Sequence, residues 1–140
     1  MFDFFKKKNN QEAENSLVKI AALLVHAAKI DKNYTKTEKQ IIKKTITELS
    51  SENEIADKIL EKAEKIEDNS NQILNFTREV KNLEENIKIK IIEVLWNIIY
   101  SDNNPDIYEN NLMRRLTGLL YIDPKIAGNI KEKVKSNLKK

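Results

Sequence analysis

Apolar residues are distributed along this chain in two ways. From about residue 13 to 30 they run nearly all the way round a helix, through Leu17, Val18, Ile20, Ala21, Leu23, Leu24, Val25, Ala27, Ala28 and Ile30. From about 84 to 101 the pattern repeats with Ile87, Ile89, Ile91, Ile92, Val94, Leu95, Trp96, Ile98 and Ile99. A helix that is apolar on most sides belongs at the centre of a fold. Elsewhere the apolar residues form single stripes, as in Ile55, Ile59, Leu60, Ala63 and Ile66, the spacing of an amphipathic surface helix.

Start signals divide these patterns into seven helices. "TKTE" (Thr35 to Glu38) is a capping box, in which hydroxyl and carboxylate each bond the other residue's backbone N–H. It opens a second helix that runs to about Leu49. "SENE" (Ser51 to Glu54) reads as another box, opening a third helix. A fourth is expected at about 71–82, with Ile73, Leu74, Phe76 and Val80. The sixth opens with "DIYE" (Asp106 to Glu109) and runs to about Leu120. The seventh opens at Asp123-Pro124, an N-cap followed by proline at the first helical position. The expected fold is all-α: about seven helices in one domain over 12–138, preceded by a Phe/Lys-rich arm over 1–11.

A shift of 71 positions lays "AKIDKNYTKTEKQII" (28–42) on "IYSDNNPDIYENNLM" (99–113). Asp31 falls on Asp102 and Glu38 on Glu109. The chain thus carries two helix–acidic loop–helix repeats, which suggests a pseudo-two-fold bundle with the two central helices packed together.

Each loop offers an Asp and a Glu eight residues apart inclusive, close enough to approach when the loop bends. Two carboxylates neutralise one divalent cation, and oxygen-only ligation suits a hard ion, Ca²⁺ or Mg²⁺. The loop is shorter than a twelve-residue EF-hand loop and lacks its alternating acids. The competing reading is structural: the Asp residues form turns after a helix, and the Glu residues cap the next one at the positive end of its dipole.

Composition narrows the remaining possibilities. With no Cys, disulfides and thiolate metal sites are excluded. Two Gly in 140 residues leave little material for phosphate-cradling loops. Net charge is +3 with acids and bases interspersed, which does not form the basic face of a nucleic-acid binder. No apolar run approaches the roughly 20 residues of a membrane span. The single His, His26, lies inside an apolar helix, where a packed, hydrogen-bonded role is expected over a catalytic one. Trp96 is expected in the core. No catalytic constellation is visible, and a non-enzymatic, cytoplasmic protein is expected. The arm "MFDFFKKK" is expected to dock on the domain or fray, with contact to an anionic membrane surface as the alternative.

These pieces together resemble the TerB-like family, the tellurite-resistance protein B group of small all-α bacterial proteins, over about residues 12–135. The family pattern is an apolar helix ending in Ala-Asp-Gly, a loop, and a Glu opening the next helix, twice. Here the copies are "LLVHAAKIDKNYTKTE" and "VLWNIIYSDNNPDIYE". Between them a Phe-Thr-Arg segment is matched by "NFTREV" (75–80), and Lys88 takes the position of a following Arg. After the second Glu, Arg-Arg and Leu-Leu are matched in "LMRRLTGLLYIDPK". The chain departs from the pattern at Lys32 and Asn103, which replace the two glycines; Asn accepts a left-handed turn more readily than Lys.

The resemblance implies a helical bundle whose acidic positions Asp31, Glu38, Asp102 and Glu109 chelate metal. It also implies a role in tellurite-type stress responses alongside protein partners at the inner face of the membrane. A similar domain lies at the N-terminal side of a membrane-anchored co-chaperone. The alternative is a protein–protein interaction scaffold whose loop acids only cap helices.

Overall fold

In the computed structural model of the chain, seven α-helices follow one another among the described residues: α1 (Asn10–Ala28), α2 (Lys36–Ser50), α3 (Ala56–Asp68), α4 (Leu74–Val80), α5 (Glu85–Tyr100), α6 (Ile107–Leu119) and α7 (Pro124–Leu138). The structure describes residues 10–29, 35–50, 55–69, 74–100 and 107–138, with the side chains of 10–13, 74, 75, 79, 107–109 and 138 excepted. There is no strand among the described residues. Helices α1 and α5 pack on each other at the centre, and their apolar side chains form most of one continuous core.

The all-α expectation holds, and the internal repeat extends further than the acidic loops. Helices α2 and α6 begin 71 residues apart, at Lys36 and Ile107. Within each half the central helix makes its broadest contact with the third helix, α1 with α3 and α5 with α7. The same shift aligns the buried stripe of α3 (Ala56, Ile59, Ala63) with that of α7 (Ala127, Ile130, Val134). The repeating unit is therefore three helices, and α4 links the two units.

Two boundaries differ from the sequence expectation. Helix α3 starts at Ala56, not at Ser51. Its N-cap is Ile55, which already has right-handed helical backbone angles and makes no side-chain capping bond. The residues of the Ser51–Glu54 box lie outside those described. Ala56 is the first buried residue of the α3 stripe among the described residues, and Ile55 before it packs partly against the core. Helix α4 stops at Val80, two residues before the expected end at 82. The other helices begin and end within a few residues of expectation, although α1 takes in residues 10 and 11 of the proposed arm. Asp123 caps α7 as expected, its Oδ1 accepting the Lys125 N–H at 2.8 Å.

Helix α6 ends in a Schellman turn. The Ile122 N–H donates to the Thr117 carbonyl at 3.0 Å, and the Tyr121 N–H to Gly118 at 3.2 Å. The turn requires a left-handed residue, and here that residue is Tyr121 (φ 57°), 70% exposed. A side chain with a Cβ is disfavoured in that region. Tyr121→Gly should raise stability by about 0.5–1 kcal/mol, after allowing for the lost Lys81 contact over the ring. Urea titration measures this; a loss of stability would mean that the Lys81–Tyr121 contact outweighs the backbone strain.

Candidate functional site: the acidic loops and the helix ends around them

The first acidic loop leaves α1 beside a polar cluster and enters α2 through a cap. At the entry, Glu38 is the third residue of α2 and only 2% exposed. Its Oε1 accepts the Thr35 N–H at 2.8 Å and lies 3.2 Å from the Thr35 hydroxyl, while its own N–H donates to Thr35 Oγ1 at 3.1 Å. This is the reciprocal box expected from the sequence. It fixes the carboxylate of Glu38 in a buried position at the mouth of the loop. Glu109 holds the equivalent third position of α6, with its side chain outside the described residues. Asp31 and Asp102 lie outside them as well. Among the described residues no group of three or more potential ligands gathers to hold a metal.

Where the first loop leaves α1, the ends of α1 and α3 share a charge cluster that the sequence reading did not anticipate. His26 Nδ1 lies 3.2 Å from Glu67 Oε2, and Lys29 Nζ lies 2.9 Å from Glu67 Oε1 and 2.6 Å from Asp68 Oδ1. The bonds to Asp68 and then to Glu67 hold the Lys29 ammonium above the ordinary lysine range. The His26 ring also packs, tilted, against buried Phe76 at 6.5 Å. His26 is thus a packed, hydrogen-bonded histidine, as expected. Glu67 was missed, although a signal existed: it falls four residues after Ala63 and eight after Ile59, on the buried stripe of α3. A carboxylate on such a stripe needs a partner. At the other end of α3, Lys62 and Lys58 clamp Glu14 at 2.7 and 3.5 Å, and the bond from Lys62 holds its carboxyl below the usual range.

Lys88 plays a structural part that spacing alone could not show. It is 8% exposed on α5, and its ammonium donates to the Leu120 carbonyl at 3.0 Å and the Lys81 carbonyl at 3.3 Å. Those carbonyls lie just past the ends of α4 and α6. Helix ends leave carbonyls without partners and carry the negative pole of the dipole, so a cation is well placed there.

A family model described as tellurite resistance protein TerB matches residues 17–132, from within α1 to within α7, a stretch that includes both acidic loops. The chain belongs to the TerB family. No curated protein and no solved structure matches it. The match places both copies of the Asp–Glu spacing inside the TerB domain. Among the described residues, no helix of this domain is long and apolar enough to cross a membrane.

Proposed function

We propose that this TerB domain is a non-catalytic, metal-responsive module of a tellurite-type stress response. It binds a hard divalent cation, Ca²⁺ or Mg²⁺, at two loops: Asp31 with Glu38, and Asp102 with Glu109. The observation that carries the reading is the anchored, nearly fully buried carboxylate of Glu38, at a position that recurs 71 residues later as Glu109. The donor set fits in kind, since carboxylate oxygens suit both ions and a pre-positioned ligand costs less to order on binding. Cation binding would stiffen each loop between its two helices and alter the surface available to a protein partner, including one held at the membrane's inner face. Neither the charge pattern nor any motif favours nucleic acid.

One observation favours a second reading, a protein-interaction scaffold: the reciprocal bonds between Glu38 and Thr35 give this carboxylate a capping role that needs no cation.

Thermal unfolding after chelator treatment separates the two. A cation at 100 times its dissociation constant should add about 2.7 kcal/mol, on the order of 8 °C in midpoint. Asp31→Asn and Asp102→Asn should each reduce that shift. Glu38→Gln should reduce it too while keeping an acceptor for the Thr35 N–H. Unchanged midpoints with Ca²⁺, Mg²⁺, Mn²⁺ and Zn²⁺ at millimolar concentration would leave the acids as caps and favour the scaffold.

A further inference from the structure

The two halves of the domain differ where their second and third helices meet, the contact between α2 and α3 being broader than that between α6 and α7. In the first half α2 and α3 pack directly on each other. Ile46 on α2 and Leu60 on α3 are buried, and at the surface Lys43 Nζ on α2 pairs with Asp57 Oδ1 on α3 at 2.8 Å. Each of these four residues has a counterpart 71 positions on: Thr117, Lys131, Arg114 and Gly128. The apolar pair has become a hydroxyl and an ammonium, and the carboxylate has become a glycine. An open groove of about 490 Å³ lies between α6 and α7 at these positions.

Trp96 closes the groove at the α5 side, and both glycines of the chain, Gly118 and Gly128, line it. Neither glycine has a positive φ, and a Cβ built on either would meet nothing within 4 Å. Backbone geometry therefore does not require glycine at these positions; its effect is to leave space. Lys131 Nζ sits 5.1 Å from the Trp96 ring centroid and 3.5 Å from Asn110 Oδ1. Arg114, which inherits the position of Lys43, has no carboxylate partner among the described residues, because Gly128 stands where that partner would be. The described residues of the lining include two cations and no acid. Arg and Lys only donate, as does the Trp96 indole N–H, which is buried with no acceptor among the described residues.

We infer that the α6–α7 groove binds a small amphiphilic carboxylate. The ligand's carboxylate supplies to Arg114 and Lys131 the charge that Asp57 supplies to Lys43 in the first half, and its apolar chain lies along Met113, Ile122 and Ala127. The volume is in the range of small-molecule sites. This inference uses none of the loop acids and does not depend on cation binding.

Trp96 is the only tryptophan in the chain, so its emission reports on the groove directly. The full chain, kept in chelator, is titrated with decanoate and separately with decanol, and dissociation constants are compared rather than amplitudes. Decanoate should bind saturably, with decanol about tenfold weaker or more. Arg114→Gln and Lys131→Gln should each weaken decanoate by about three- to tenfold. The decisive pair is Gly128→Asp, which restores an internal partner for Arg114 and should abolish binding, and Gly128→Asn, which adds similar bulk without charge and should keep it within about threefold. Circular dichroism checks that each variant folds. Decanol binding as tightly as decanoate, unaltered binding in Gly128→Asp, or no saturable change up to about 5 mM would overturn the inference.

Discussion

Replacing Lys88 with methionine is expected to lower stability by about 1–3 kcal/mol, since one buried and one partly buried carbonyl lose their donor in one step. Methionine nearly matches lysine in length, so the variant tests the ammonium rather than the volume. Lys88 is 8% exposed and donates to Lys81 and Leu120, joining the ends of α4 and α6 to α5. The residues around it in α5 are the apolar Ile87, Ile91 and Ile92, all fully buried. Lys88→Arg, which keeps the charge and adds donors, should recover most of the loss. Urea unfolding of the three proteins measures this. Equal midpoints for wild type and Lys88→Met would show that the carbonyls find other donors and that the ammonium is dispensable.

The second large effect is expected at Phe76. This ring is fully buried on α4, a helix of seven residues, too short to be stable in isolation. Its attachment depends on what it buries, chiefly Phe76, Thr77 and Val80 against α1. Phe76→Ala should cost about 3–5 kcal/mol. It should also loosen α4 locally, because the ring that packs beside His26 is removed. Hydrogen exchange distinguishes the two consequences: amides of α4 should lose protection even under conditions where α1 and α5 remain protected. Uniform loss across all helices would mean that α4 opens only with the whole domain.

Much of this architecture can be read in the sequence because its signals are local. The all-round apolar character of 17–28 and 87–99 announces two central helices, and the burial of nearly every apolar residue in both stretches follows from it. The Thr35–Glu38 box forms as its spacing requires, since both partners lie within one turn. The same kind of signal at Ser51–Glu54 lies ahead of α3, which starts at Ala56 with its buried stripe; burial against the core is a tertiary feature that local spacing does not encode.

The longer-range features are where sequence reasoning falls short. The partners of Lys88 are backbone carbonyls 7 and 32 residues away, and a carbonyl leaves no mark in a sequence. Glu67 meets His26 across 41 residues, and only its place on a buried stripe hinted at a partner. The groove between α6 and α7 becomes visible when the repeat is followed past the acidic loops into the third helices, where Asp57 is matched by Gly128. For the candidate site itself, the repeated Asp–Glu spacing is legible, and the cap expected between Thr35 and Glu38 forms. The ligand roles of Asp31, Glu38, Asp102 and Glu109 remain the proposal.

That proposal meets its most direct test in calorimetric titration of the chelator-treated chain with Ca²⁺ and Mg²⁺, alongside a variant carrying both Asp31→Asn and Asp102→Asn. The account predicts a saturable heat for at least one ion in the wild-type chain, and its loss in the double variant with the helical circular dichroism spectrum unchanged. The same isotherm in both proteins, or no binding heat for either ion at millimolar concentration, would contradict it.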